Sequence, residues 1–416
     1  MADGTATAPE NPNEIKCLIC GHVEMDFLGD HLLEEHGVTA AEYAVSYPGA
    51  RSVSDRLHDH FSQEHPSPKR VHPPAPENLK VNFGGILFPV HPDVPAESCL
   101  PMPEHYRIPE HGDLRDDVEH AIISLLQGRS LYIWGLPGSG KDALFHAWSA
   151  MTRTPAVIRQ AKPGTDIEAW FFSRGFNDEG TFWEEGAVLQ ALRDGYVTPR
   201  GERIPYLLLV SDFDRADREQ AEHLRLITDS IQGRVDGPAG VTYRVLPGTR
   251  VVATANTAGS GDDRGRMISA NPIDASLLDR FERKFQFHWM DWEDEEPIVR
   301  AKFPVLVQRC PDIFTKTGKI TGAIRKAILG GDLYAEFSHR GVCSILGHAQ
   351  DILISRFPGA RVPKNLLKLA VRAWLDGLPD ADSRDAATKI MSSHVSMLTE
   401  GDTSHVKDGP LTSGFL

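Results

Sequence analysis

The sequence predicts an α/β fold: a parallel sheet sandwiched by helices, followed by a helical C-terminal lid and preceded by a small Cys/His metal module. Three observations carry this. The apolar runs SLYIWG (130–135), PAVIRQ (155–160), YLLLVSD (206–212) and TRVVATAN (249–256) alternate with helical patterns, the order that gives a parallel sheet covered on both faces. The stretch GLPGSGKD (135–142) follows the first run and precedes the amphipathic stretch 143–150, the context a phosphate-binding loop requires. Finally, Cys17 and Cys20, then His31 and His36, stand near the spacing of a two-cysteine, two-histidine zinc ligand set.

Composition bounds the rest. The 416 residues are 41% hydrophobic and 25% charged, ordinary for a globular protein with room for two or three domains. Apolar runs as short as LLLV (207–210) fall far below the roughly 18 residues a membrane span needs. The opening MADGTATAPENPNE has neither an apolar core nor a basic flank, so no signal peptide is expected. Five cysteines, two of them in one C-x-x-C, do not make a disulfide framework. A cytoplasmic protein is expected. A net charge of −14 disfavours a broad nucleic-acid surface.

Taken in order, residues 1–14 read as a flexible leader and 15–60 as the metal module. Residues 61–77 form a linker, with five prolines among the eleven residues of PSPKRVHPPAP (66–76). The nucleotide-binding domain is expected over 78–293, its N-terminal extension (VNFGGILFPV) forming a short hairpin packed on the rest. DLRDDVEHAIISLLQG (113–128) reads as an amphipathic helix leading into the first strand. The strand signal fades near Glu293, and KNLLKLAVRAWLDGL (364–378) marks a helical lid over 294–400. Residues 401–416 read as a flexible tail.

The chemistry gathers around the glycine loop. Backbone N–H groups of Gly135, Leu136, Pro137, Gly138, Ser139 and Gly140, proline excepted, would cradle phosphates at a helix N-terminus, with Lys141 reaching the outer oxygens of ATP. Asp142 stands where this motif carries a Ser or Thr that ligates Mg²⁺. A second apolar strand should end in two acids and ends instead in Ser211 and Asp212. A third ends in Asn256, placed to sense the outermost phosphate. Arg280 in SLLDRF is placed as a finger toward a neighbouring subunit's nucleotide, and Arg340 in EFSHRG as a second sensor.

The two departures complement each other. A carboxylate in the loop (Asp142) and a hydroxyl at the strand end (Ser211) keep the oxygen ligands and charge around Mg²⁺ with the residue types exchanged, leaving Asp212 as general base. Two other arrangements stay open: Asp212 on the metal with Asp214 as base, or Asp142 merely capping the helix dipole.

These motifs resemble the AAA+ ATPases over about 110–380, specifically the MoxR-like branch and within it the CobS-type ATPase subunit of cobaltochelatase. ATANTAGSGDDRGRMISANPIDASLLDRF is the most specific stretch, FWEEGAVLQALRDG resembles the segment before the acidic strand, and SDFDRAD the acidic motif itself. The resemblance implies an ATP hydrolase working as a ring, usually a hexamer, with nucleotide at subunit interfaces. It also implies a partner protein carrying a von Willebrand A-type domain.

The metal module resembles the Ros/MucR-type zinc fingers, with HLLEEHGVTAAEYAVSYPG continuing the likeness and Val23, Leu28 and Leu32 as a miniature core. Two thiolates and two imidazoles would close a structural Zn²⁺ site, with His22 as a competing ligand. Those relatives bind DNA. This copy places six acids (Glu14, Glu24, Asp26, Asp30, Glu34, Glu35) against one base (Lys16) between Glu14 and His36, and phosphate contacts need Lys and Arg. Lys69 and Arg70 sit in the linker. A protein-docking finger on a remodelling ATPase is therefore the first reading. A chelatase subunit is the second, and a DNA-binding regulator with a vestigial nucleotide domain the third.

Overall fold

In the computed structural model the chain divides into two compact units, 1–77 and 78–416. The structure describes residues 14–25, 28–38, 43 and 46 of the first, and 79–177, 180–225, 227–228, 233–261, 270–355 and 361–394 of the second. The expected linker and C-terminal tail, nearly all of the leader, and most of the glycine–acid loop after Asn256 lie outside the described residues.

The first unit is a small ββα arrangement. Strands β1 (Glu14–Lys16) and β2 (Val23–Met25) pair antiparallel, and helix α1 (Gly29–His36) follows. Its core consists of Ile15, Cys17, Leu28, Leu32 and Tyr43. Val23, expected among these, is 48% exposed. The two-residue side-chain period of a strand turns it away from the helix. Tyr43 takes its place from further along the chain, its hydroxyl accepting a hydrogen bond from the Leu18 N–H at 2.8 Å.

The second unit opens with the expected hairpin, β3 (Lys80–Phe83) and β4 (Ile86–Pro89), turned at Gly84–Gly85. Phe83 and Phe88 are buried beneath it, and Phe88 meets Trp148 edge to face at 5.8 Å between centroids. Helix α2 (Gly112–Leu126) then buries Leu114, Val118, Ala121, Ile122 and Leu125 on one face, the amphipathic stripe read from the sequence.

The four predicted strands are β5 (Leu131–Trp134), β6 (Ala156–Gln160), β11 (Leu207–Ser211) and β14 (Arg250–Ala255), and all are parallel. A fifth, β15 (Arg283–Gln286), joins them, giving the order β15-β5-β14-β11-β6. Its sequence, RKFQ, has one strong apolar residue, which explains why it carries no strand signal by itself. Leu207 and Leu209 pack into the core with α2 and helix α3 (Lys141–Thr152), while Leu208 and Val210 point into the core on the other face. Burial on both faces is why LLLV reads as an unbroken apolar run.

Three antiparallel hairpins interrupt the alternation: β7–β8 (Phe172–Asn177 with Gly180–Glu185), β9–β10 (Tyr196–Val197 with Arg203–Ile204) and β12–β13 (Arg234–Asp236 with Thr242–Arg244). Helix α4 (Ala187–Asp194) follows the first of them. Beyond β15 the chain is helical: α5 (Trp292–Lys302), α6 (Pro304–Arg309), α7 (Asp312–Gly330), α8 (His339–Ile354), α9 (Leu366–Leu375) and α10 (Ala381–His394). These share one apolar core that includes Phe314, Ile324, Phe337, Leu346 and Leu367. No helix among the described residues is long and apolar enough to cross a membrane.

Candidate functional site

All five strands run the same way, so their C-terminal ends share one end of the sheet, where open α/β sheets bind ligands. The loop after β5, Gly135 to Gly140, leads straight into α3, whose first residue is Lys141. Two of the loop's glycines are required by close approach. A Cβ on Gly135 would collide with the Phe287 carbonyl, and one on Gly138 with the Ser338 side chain at the start of α8. The loop is held from outside too, by the Trp289 indole N–H donating to the Pro137 carbonyl at 3.0 Å.

Lys141 is buried, folded back on this loop. Its ammonium donates to the carbonyls of Gly135 at 2.8 Å and Leu136 at 3.3 Å, and to the Asn256 side-chain oxygen at 3.3 Å. Burial pushes its pKa below the ordinary value, against the pull of Asp142, Asp212 and Asp214, while the charge of Arg340 pushes the same way as burial. The Ser139 hydroxyl is buried with no hydrogen-bond partner. A buried lysine that satisfies itself on its own loop, beside an orphaned hydroxyl, fits a phosphate group that would engage both.

The two departures from the motif face one another. The Ser211 hydroxyl donates to one carboxylate oxygen of Asp142 at 2.9 Å, and the Thr254 hydroxyl to the other at 2.6 Å. A carboxylate and two hydroxyls thus converge from α3, β11 and β14. This is a hard-oxygen donor set suited to a divalent cation.

Asp212 directly follows Ser211 and has φ 54° and ψ 39°, a left-handed conformation that strains a non-glycine residue by roughly 1–3 kcal/mol. Its carboxylate accepts from the Gln160 amide at 2.8 Å and the Asn256 amide at 3.4 Å. Gln160 ends β6 and pairs in register with Ser211. Asp214, the alternative base, is fully buried. One of its oxygens accepts from the backbone N–H of Asn256 and Thr257 and from the Thr257 hydroxyl, at 2.9–3.0 Å. Burial raises its pKa and the neighbouring Asp212 adds to that, with the Thr257 and backbone bonds opposing. Asp214 therefore ties the loop after β11 to the end of β14 and has no route to solvent.

Asn256 lies between Lys141 and Asp212, as the strand order requires. Arg340 is exposed in the first turn of α8, close enough for its charge to act on Lys141. Arg280 lies between the short helix Ala275–Leu278 and β15, part-buried. Sequence reasoning missed Gln160, Thr254 and Trp289. The first two were legible as polar residues at or near the C-terminal ends of parallel strands. Trp289 carried no signal.

In the first unit, Cys17, Cys20, His31 and His36 bring their ligand atoms within 4.8 Å of one another. The Cys17 sulfur lies 3.6 Å from the His36 Nε2 and the Cys20 sulfur 3.3 Å from the His31 Nε2. Tetrahedral zinc, with sulfur at ~2.3 Å and nitrogen at ~2.0–2.1 Å, places such pairs about 3.5 Å apart, so the donor set fits. His22 lies outside this group, its ring stacked on that of His31 at 4.3 Å.

Residues 130–281 match the family model of the AAA domain, dynein-related subfamily. Among solved structures, the chain is similar to a point mutant of RuvB from Thermotoga maritima (12% identity, TM-score 0.41, covering 65% of this chain and 71% of that one). It is also similar to the structure described as the Thermotoga maritima RuvB Holliday junction branch migration motor (12%, 0.40, 66% and 72%). No curated protein matches the chain. The domain match, the glycine loop and the five-stranded parallel order together make this an AAA+ P-loop fold.

Proposed function

We propose that the chain is a ring-forming ATPase of the MoxR-like branch, near the CobS type, that hydrolyses ATP to remodel a protein partner recruited through its zinc finger. The observation carrying this reading is the convergence of Lys141, Asp142, Ser211, Asp212, Thr254 and Asn256 at one end of the sheet, behind a glycine loop. An inert remnant of a nucleotide domain would have no reason to keep a strained carboxylate held by two amides.

In this reading the residues divide the work. The loop N–H groups and Lys141 bind and orient the phosphates. Asp142 and Ser211, with Thr254 behind them, would hold Mg²⁺, which when bound neutralises phosphate charge. Asp212 accepts the proton of the attacking water, held in place by Gln160 and Asn256. Asn256 and Arg340 report the outermost phosphate. Arg280 acts on a neighbouring subunit's nucleotide, which requires a ring, and a hexamer is the form the resemblance implies. One zinc on Cys17, Cys20, His31 and His36 would staple the ββα unit. The likeness to CobS supports a partner with a von Willebrand A-type domain, and leaves a chelatase complex as the second reading. The acidity of the finger argues against DNA as its target.

The test is ATP turnover across protein concentrations. Turnover per subunit should rise as the ring assembles, and Arg280→Ala should abolish it while sparing ATP binding. A concentration-independent rate from a monomer would overturn the reading.

A further inference from the structure

The second unit holds three cysteines, and they are not alike. Burial pushes the thiols of Cys99 and Cys310 above their ordinary value, which makes them poor nucleophiles near neutral pH. Cys343 lies one turn after His339 on α8, with its sulfur 3.2 Å from the His339 Nε2. The other ring nitrogen of His339 is 2.8 Å from Glu295, which is 1% exposed and held by Arg325 at 2.7 Å. Cysteine, imidazole and buried carboxylate thus stand in line, the order that activates a sulfur nucleophile.

Three side chains touch this imidazole, and a fourth, Arg325, holds the Glu295 carboxylate behind it. From α5 come Glu295 and Lys302, whose ammonium is 3.4 Å from the His339 Nε2; from α7 comes Arg325; from α8 itself comes Cys343. Burial disfavours charge on His339, but the bonds to Cys343 and Glu295 outweigh it and carry its pKa up to about 9. The imidazole nitrogen is thus within reach to relay the sulfur's proton, with the Lys302 ammonium beside the same nitrogen. Cys343 is partly exposed, as Cys99 and Cys310 are, so exposure does not separate the three and the His339 contact does.

The same cluster reaches the phosphate loop by two routes. Ser338, immediately before α8, packs on Gly138. The Arg325 guanidinium lies over the Trp289 ring, 5.4 Å from its centroid, and Trp289 holds the Pro137 carbonyl.

We propose that Cys343 is a thiol-modification site through which low-molecular-weight disulfides weaken nucleotide binding. The Cys343 sulfur attacks one sulfur of RS–SR as its proton leaves, with His339 beside it as the relay to the departing group. A Cys343–SR bond forms as the RS–SR bond breaks, and the departing RS⁻ takes a proton, giving RSH. The adduct replaces the sulfur–imidazole contact with bulk at the start of α8, the segment seated on Gly138. The effect on binding rests on the loop being a nucleotide site; the selectivity of modification does not.

The experiment treats the full chain with glutathione disulfide, follows each cysteine by peptide mass mapping, and reads binding with a fluorescent ADP analogue. Cys343 should be modified ~10-fold or more faster than Cys99 and Cys310, and His339→Gln should remove most of that advantage. The adduct should bind the analogue several-fold more weakly, with dithiothreitol restoring it, while Cys343→Ser binds normally and ignores the disulfide. Cys343→Ala serves if the serine variant misfolds. Equal modification of the three thiols, or loss of binding in the Cys343 variant on treatment, would overturn the proposal. Untreated protein that binds no nucleotide would instead sink the reading of the loop, leaving the mapping to decide the modification site.

Discussion

Among the described residues, two clusters could take a cation in the proposed reading, and they are built on opposite plans. The finger brings two sulfurs and two imidazole nitrogens into one cluster, a soft and complete donor set with no position to spare. The sheet edge brings one carboxylate and two hydroxyls against each other, a hard and incomplete set of oxygen donors. Completeness suits a metal that holds a fold; incompleteness suits one that works on a substrate. The difference predicts that the first metal can be lost with its unit while the second site goes on turning over.

The largest expected effect lies at the sheet edge and beyond it. Arg280→Ala should reduce turnover by ~10³-fold with ATP affinity kept, because a finger acts on charge that develops only in the transition state. Binding isotherms beside steady-state rates check this, and equal losses in both would contradict it.

Next comes the finger. Elemental analysis should find one zinc per chain, and Cys17→Ser or a strong chelator should remove it along with the order of residues 14–36. Deleting residues 1–76 should leave ATPase activity within about twofold while abolishing partner capture. Loss of nucleotide binding in that truncation would show that the two regions are not separable.

A smaller effect is expected at Gln160, whose amide fixes Asp212. Gln160→Ala should lower kcat by roughly tenfold with KM little changed. Unchanged kcat would mean that Asp212 needs no such positioning.

The smallest effect concerns the lid. His339 has its folded pKa raised to about 9, so its contribution is complete below its ordinary value near 6.5 and is lost as pH rises through 9. Burial alone would raise the Glu295 carboxyl, but the bonds from His339 and Arg325 hold it below the ordinary value. Its contribution is therefore present above about 4.5 and is lost as pH falls below that. Thermal melts should show a plateau between these limits and a drop of a few degrees toward pH 9. His339→Gln should flatten the alkaline side.

What the sequence revealed differs between the two regions for the same reason that their chemistry does. The four clustered Cys and His residues lie within twenty positions, so spacing alone pointed to the cluster that the structure brings together, although the strand period turned Val23 outward and Tyr43 completed the core instead. The sheet edge draws on residues 142, 160, 211, 254 and 256, spread over more than a hundred positions. Motif order named Asp142, Ser211, Asp212 and Asn256, which the structure brings to one end of the sheet. It could not find that Thr254 shares the Asp142 carboxylate or that Gln160 grips Asp212, because both pairings depend on strand register. The central strands announced themselves by being apolar on both faces. The strand Arg283–Gln286 did not, since three of its four residues are polar and it presents no apolar run.

The decisive point is whether Asp142 and Ser211 have exchanged the usual carboxylate and hydroxyl around Mg²⁺. The direct measurement is Mg²⁺-dependent ATP hydrolysis by Asp142→Thr, Ser211→Asp and the double variant, each first shown to bind ATP. The account predicts that each single change lowers turnover by ~10²-fold or more and that the double variant recovers most of it, a strongly non-additive cycle. A double variant no faster than the slower single would contradict the exchange and leave Asp142 as a helix cap at a site that binds nucleotide without using it in this way.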